Sequence, residues 1–416
     1  MKFYTNIQQY NNVIFERYIE DGVHKQREVP YQPTLYVPTV KQSPFKTIKG
    51  ERLEPRGFNS IKEARDFIQA RNKVSNDPVY GMQQFAYAYI QEQYPTREFD
   101  VNQLNILNFD IETRSDEGFP NIREADMEIL SIALRCNGQS YILGCGEYKT
   151  SGDDKYIKCV SEADLLHKFI DLWRELNPDI VTGWNVEMFD IPYTVNRIQR
   201  RLSTEAVNQL SPWGIVKDRL IPTAQTQAQG DNAEPNAKEI IGITVFDYMN
   251  LYKKFTYSQQ ESYALDYIGN AELGEKKLDY SEYGTLNDLY KNDYQKFLDY
   301  NIKDVVLVER LDDKMKLIEQ ACTIAYDAGV NLIDSMTSVR MWDVIIHNFL
   351  MEKQIIVPPK EFGEKENQVE GAYVKDPQVG MHNWVVSFDL NSLYPHLIMQ
   401  YNISPETYVR HIGQRP

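Results

Sequence analysis

The stretch from Leu104 to Glu112 constrains this chain more than any other. It is an apolar run that closes on Asn108-Phe109-Asp110-Ile111-Glu112. Read with a period of two, Leu104, Ile106, Asn108, Asp110 and Glu112 share one face, and Leu107, Phe109 and Ile111 share the other. A buried strand therefore delivers two carboxylates to the same side at its C-terminal end. At that spacing they repel, and each resists leaving water, so an ordinary core gives no reason to place them there. A divalent cation between them removes both objections. A strand that leaves the core, with both acids in solvent, also removes them, and the stretch alone does not choose.

Composition serves mainly to exclude. The 416 residues suffice for two or three domains with proper cores. With 42% hydrophobic and 25% charged residues, disorder is not the default. No uninterrupted apolar run approaches the roughly 20 residues that span a bilayer. The N-terminus has no signal-peptide pattern, so the expectation is a cytoplasmic protein with no membrane partner. Cys136, Cys145, Cys159 and Cys322 show no C-x-x-C spacing, which indicates neither a zinc site nor a disulfide framework. A net charge of −15 argues against a nucleic-acid partner, but only weakly. One local basic groove is enough in a chain of this size. Arg197 to Arg201 and Lys253-Lys254 are locally basic, and each also reads as a solvated helix face.

Residues 1–103 read as an α+β unit. Val13-Ile14-Phe15 and Leu35-Tyr36-Val37 are strand-like, and Ser60 with Glu63 opens a helix. From Leu104 the elements lengthen. Strands at Ile129–Leu134 and Tyr141–Leu143 flank Asn137-Gly138, a tight-hairpin signal. Ser161 and Asp164 start a helix that stops at Asn177-Pro178. A strand over Asp179–Thr182 follows, then a helix with Pro192 in its first turn, then a strand over Glu239–Val245. This order predicts an α/β layout, a mixed sheet covered by helices. Ala224–Lys238, rich in Gln, Ala and Asn, reads as an exposed loop or hairpin tip. A long helix is expected over Asn292–Ala328 and another over Val339–Leu350. Pro358-Pro359 and the polar run Lys360–Asn367 mark a boundary, followed by a strand over Trp384–Leu390 that contains Asp389.

Three further carboxyl positions answer the opening pair: Asp190, Asp304 and, in the last segment, Asp389. Asp190 lies just past a strand end, in Asn185-Val186-Glu187-Met188-Phe189-Asp190. Tyr300 and Asp304, at i and i+4, put a phenol and a carboxylate on one helix face. Asp110, Glu112, Asp190 and Asp304 suit two hard divalent ions held by oxygen. Such a pair activates water and stabilises the leaving oxygen in phosphodiester cleavage, with Tyr300 orienting the water.

Phe109-Asp110-Ile111-Glu112, Asn185-x-x-x-Phe189-Asp190 and Tyr300-x-x-x-Asp304 resemble the three exonuclease motifs of family B DNA polymerases. Thr182 to Glu187, Leu251 to Phe255, Ser262 to Ile268, Ile14 to Ile19 and Asn402 to Thr407 resemble the replicative polymerases of T-even-type bacteriophages. The resemblance implies an N-terminal domain over 1–103, with 329–360 packing back on it. It implies an RNase H-like 3′→5′ exonuclease domain over 104–328 and the start of a polymerase palm over 361–416. The implied cofactors are two divalent metal ions, Mg²⁺ or Mn²⁺. Ser387 to Pro395 is similar to the first polymerase motif, where Asp389 would be a metal ligand and Tyr394 would exclude a ribose 2′-hydroxyl. His396 departs from the serine usual after that proline. Relatives carry a strand-separating hairpin where Ala224–Lys238 falls, although the composition here differs from theirs.

Asn185, Phe189 and Phe119, the last a candidate to stack on terminal bases, are the remaining substrate-binding expectations. The implied partners are single-stranded and primer-template DNA, a further polymerase segment as a separate chain, a sliding clamp and other replisome proteins. RNA bound through the N-terminal domain is a further implied partner. The second and third polymerase motifs are not among these residues, so the expectation is that these 416 residues degrade 3′ ends without extending primers. Two competing readings are a catalytically silent nucleic-acid-binding scaffold and a free-standing RNase of the same fold. The carboxylate set stands against the first, and the polymerase-like stretch from Gly371 onward against the second.

Overall fold

Short turns dictate the first sheet. Asn11 and Asp21-Gly22 take the left-handed conformation that two-residue hairpins need. They join β1 (Lys2–Tyr10), β2 (Val13–Glu20) and β3 (Val23–Pro30) into an antiparallel sheet. β4 (Thr34–Pro38) pairs with β6 (Leu53–Gly57) beside the short β5 (Lys46–Thr47). The helix Ile61–Val74 follows, its Glu63 N–H donating to Ser60 Oγ at 3.2 Å. The structure, a computed structural model, describes residues 1–74, 78–115, 118, 120–221, 235–359 and 371–407. It divides into two units, 1–360 and 361–416.

The larger sheet of the first unit is built on β7 (Ile106–Thr113). The alternation there is as the sequence predicts. Leu107, Phe109 and Ile111 are buried in a core against the helix Glu162–Leu176, while Asp110 and Glu112 are partly exposed. β8 (Ile129–Cys136) and β9 (Gln139–Gly144) form the hairpin about Asn137-Gly138, both residues at positive φ. β10 (Lys155–Lys158) pairs with β9, and β11 (Ile180–Gly183) with the other edge of β7. With β14 (Thr244–Asp247) the order is β10-β9-β8-β7-β11-β14. β7, β11 and β14 run parallel and β8 runs antiparallel to β7, so the sheet is mixed. Ser161 caps the helix after β10 by accepting from the Asp164 N–H, and Asn177 ends it in the left-handed conformation.

Three expectations are corrected. The single strand over Glu239–Val245 is two strands that belong to different sheets. β13 (Ala237–Ile240) pairs with β12 (Val216–Arg219), and β14 joins the central sheet. The break is at Gly242, where φ is +91° and a Cβ would come within 2.8 Å of Pro212 and Trp213. Second, the long helix over Asn292–Ala328 is two helices, Tyr294–Met315 and Leu317–Ala328, preceded by Leu286–Asn292. Lys316 adopts a left-handed φ of +55°, and Asp312 accepts from Lys316 N–H with its carbonyl and from Ile318 N–H with its side chain. A lysine carries no break signal of the kind glycine or proline gives. Third, Trp384–Leu390 forms no strand, because no described segment offers it a hydrogen-bonded partner. Of the polar stretch Ala224–Lys238, residues 224–234 lie outside the described residues, and Ala237 and Lys238 already belong to β13.

Further along, the helix Ser338–Glu352 leads to β15 (Ile355–Ile356), which pairs in parallel with β5. In the second unit a helix spans Leu393–Tyr401. No described helix is long and apolar enough to cross a membrane.

Candidate active site

β7 carries Asp110 and Glu112 to one face of the sheet, opposite Ala133 and Ser131 of β8. The helix Tyr294–Met315 crosses that face, and Asn108 Nδ2 donates to its Val305 carbonyl at 2.7 Å. Tyr300, Asn301 and Asp304 are buried on the inner side of this helix. The carboxylate oxygens of Asp110, Glu112 and Asp304 lie within 4.8 Å of one another, the one such group of three among the described residues. Asp190, first residue of the helix Asp190–Arg201, adjoins them. Its Oδ1 accepts from the Ile111 N–H at 3.1 Å, and its charge is among those acting on Asp110 and Glu112.

The electrostatics follow from crowding acids out of water. Burial first, then Asp190, Asp304 and Glu112, push Asp110 well above the carboxylate range. Burial and then Asp304 push Glu112 up to about 8. Burial raises Asp190 to about 7, against the lowering effect of the Ile111 N–H. Asp304 is raised by burial too, although Lys277 pulls it back. Lys277 Nζ donates to Asp304 Oδ2 at 2.5 Å and to the Tyr300 hydroxyl at 3.2 Å. Burial alone would lower Lys277, but Asp304, Tyr300 and Asp110 outweigh it and hold the lysine protonated.

These residues fit a divalent cation. Asp304 Oδ1 is buried without a hydrogen-bond donor among the described residues. Lys277 is the one cation that makes an ion pair with the trio there. Hard oxygen donors in excess negative charge are what Mg²⁺ and Mn²⁺ take.

Lys277 and Asn301 escaped the sequence reading. Asn301 is fully buried and donates from Nδ2 to Asp110 Oδ2 at 2.6 Å, while its Oδ1 accepts from Ser131 Oγ at 2.8 Å. A polar residue among Phe297, Leu298, Ile302 and Val305 on a buried helix was its one available signal. Lys277 had none, since its partners lie 23 and 27 residues ahead.

The other expected residues are dispersed. Asn185 occupies a left-handed turn before Asp190, and the Phe189 ring stacks on Tyr193 at 5.6 Å. Phe119 lies outside the described residues. Asp389 and Tyr394 are exposed in the second unit, Tyr394 in its helix.

Two family descriptions match the chain. "DNA polymerase family B, exonuclease domain" covers residues 51–268, and "DNA polymerase family B" covers residues 330–415. The chain is 31% identical to the DNA-directed DNA polymerase of Escherichia phage RB69, over all of this chain and 50% of that one. It is also 31% identical to that of Enterobacteria phage T4, over 98% of this chain and 47% of that one. Similarity extends to the DNA polymerase delta catalytic subunit of Caenorhabditis elegans, at 27% over 74% of this chain and 30% of that one. The chain thus spans about half the length of the phage polymerases it matches.

Proposed function

The chain belongs to DNA polymerase family B, and from that premise we propose that residues 104–328 are a 3′→5′ exonuclease that removes terminal nucleotides from DNA. The carrying observation is the convergence of Asp110, Glu112 and Asp304 from β7 and the helix Tyr294–Met315, with Asp190 alongside. These four would hold two divalent ions, Mg²⁺ or Mn²⁺. When bound, the ions supply the positive charge that activates water and stabilises the leaving oxygen.

The chain's own residues do the rest. The Tyr300 hydroxyl, held by Lys277, orients the attacking water. Lys277 meets negative charge at the Asp304 side of the site. Asn301 fixes one oxygen of Asp110 so that the other is turned to the ligand. Tyr280 packs edge-on to Tyr300, centroids 5.3 Å apart, and restrains the ring. A 3′ terminus must melt to enter. Each matched step costs about 1.4 kcal/mol of stacking, roughly tenfold per step. A mispaired end has already lost part of that cost and partitions to this site more readily, which is proofreading.

Residues 1–103 with 329–360 form the N-terminal domain in this proposal, and 361–416 begin the palm. Asp389 is a metal ligand and Tyr394 a sugar-selecting residue of a polymerase site that a further segment completes. Asn185, Phe189 and Phe119 contact the DNA strand. Clamp and replisome contacts, RNA binding by the N-terminal domain and residence in the cytoplasm of an infected host belong to the same reading.

The test is release of nucleotides from single-stranded DNA with and without Mg²⁺. Replacing Asp110 and Glu112 by alanine should reduce it by about four orders of magnitude, about 5.4 kcal/mol of barrier. Unchanged release would refute the assignment.

A further inference from the structure

Asp247 is buried at the end of β14, beside Gly183 at the end of β11. Its Oδ1 accepts from the backbone N–H of Met249 at 3.0 Å and of Asn250 at 3.3 Å, capping the helix Tyr248–Phe255. The same carboxylate also reaches across to the next strand. Oδ1 accepts from the Asn185 N–H at 3.3 Å and Oδ2 from the Glu187 N–H at 3.2 Å. Four backbone donors converge on two oxygens, which an ionised carboxylate accommodates and an amide does not, because an amide has one acceptor oxygen and one donor nitrogen.

What those last two bonds hold is the turn that carries Asp190. Asn185 sits at φ +66°, and its carbonyl accepts from the N–H groups of Met188 at 3.2 Å and Phe189 at 3.1 Å. The Val186 carbonyl accepts from Ile191 N–H at 3.0 Å, across the start of the helix that opens at Asp190. The turn has no slack on its other side. A Cβ on Gly183 would lie 2.4 Å from the Phe109 carbonyl oxygen and 3.1 Å from Val186 Cβ. Trp184 Nε1 ties the turn to the Tyr263 carbonyl at 2.9 Å. Asp190 then bonds β7 through the Ile111 N–H. Asp247 is thus joined to Asp190 through its bonds from the Asn185 and Glu187 N–H groups, the bond from Phe189 N–H to the Asn185 carbonyl, and the peptide bond that follows.

We propose that Asp247 is a positioning residue of the nuclease site, which sets the place of Asp190 by clamping the Asn185–Glu187 turn. The proposal rests on the exonuclease reading above. Asp247→Asn keeps the oxygen that serves the cap and the Asn185 N–H and removes the acceptor of the Glu187 N–H. Asparagine caps a helix as well as aspartate does, so the Met249 and Asn250 bonds survive. Its amide nitrogen, however, faces the Glu187 N–H, donor against donor. Asp247→Ser, whose single hydroxyl caps without spanning to the turn, is the second variant should the first not fold. Ser161→Ala is the control, the cap of a different helix, Glu162–Leu176.

On single-stranded DNA, Asp247→Asn should lower kcat by about 10- to 100-fold with KM within about twofold of the wild type. Mn²⁺ binding, followed by electron paramagnetic resonance without DNA, should weaken by about tenfold. Ser161→Ala should lower the melting temperature and change neither quantity. If kcat and Mn²⁺ affinity of the Asp247 variants match those of the wild type, the proposal is overturned. Should the wild type release no nucleotides at all, the exonuclease reading falls instead, and the Mn²⁺ measurement still decides the role of Asp247.

Discussion

Glu162 and the Asp110 trio show two ways in which one fold handles acids drawn out of water. Glu162 is closed off. Arg197 donates to both its oxygens, at 2.6 and 2.7 Å, the Ile129 N–H adds a bond at 2.9 Å, and Arg201 stands 3.2 Å away. Arg197 itself donates further to the Ala125 and Asp126 carbonyls. At the trio, among the described residues, three carboxylates share one lysine, and an oxygen of Asp304 is left without a donor. Residue type does not separate structure from chemistry here; the balance of donors against acids does. Where every acceptor is met, the acid fastens a helix to the sheet. Where acceptors outnumber donors, the site is prepared for a cation from outside.

The largest expected effect tests that contrast at the open site. The Asp110→Ala, Glu112→Ala chain should lose about four orders of magnitude of Mg²⁺-dependent nucleotide release. Without divalent ions it should unfold at no lower temperature than the wild type, because like charges have been removed from a crowded site. Thermal unfolding in a chelator checks this, and a large drop would show that the acids hold the fold together.

The closed site should behave oppositely. Arg197→Ala strands Glu162 and should cost about 3–5 kcal/mol of stability, read from denaturant unfolding. Nuclease activity per folded molecule should stay within about twofold of the wild type. A loss of activity much larger than the loss of folded protein would show that the two sites are not independent.

Lys277→Ala sharpens the comparison from within the open site, since it removes the cation that pairs with Asp304. Release of nucleotides should fall by about a hundredfold, about 2.7 kcal/mol, with Tyr300→Phe not additive to it, because both act on one water. Full additivity in the double variant would separate the two roles.

The smallest effect is on the pH dependence of the metal-free fold. Glu112 is pushed up to about 8 and Asp190 to about 7, both above their unfolded values. Between the unfolded and folded values the native chain holds more protons, so stability falls as pH rises through that window. Melting in a chelator should therefore be higher at pH 6 than at pH 8.5. Added Mg²⁺ should abolish the difference, and the Asp110→Ala, Glu112→Ala change should shrink it to the part that buried Asp190 contributes. A metal-free melting temperature that rises with pH would contradict the sign.

Much of the fold was legible because its signals are local. The period of two along β7, the Asn137-Gly138 turn and the Ser161 cap each depend on neighbours a few residues away. The breaks at Gly242 and Lys316 were not: Pro212 and Trp213 set the first from about 30 residues away, and the second, though local to Asp312, falls on a lysine, which gives no break signal. The acids of the candidate site could be named in advance because motif spacing carries them. Their supporting groups could not. Asn301 meets Asp110 across 191 residues, and Asp247 meets Asn185 across 62.

The sequence by itself determined that a strand would bring Asp110 and Glu112 to one face, and that Tyr300 and Asp304 would share a helix turn. Backbone geometry alone imposes those periods. Only the tertiary structure decided that Asp304 would come within ligand distance of the pair, that Asp190 would stand beside rather than among them, and that Lys277 would be the trio's cation. Those are matters of which surfaces pack together, and packing is fixed by the whole core at once.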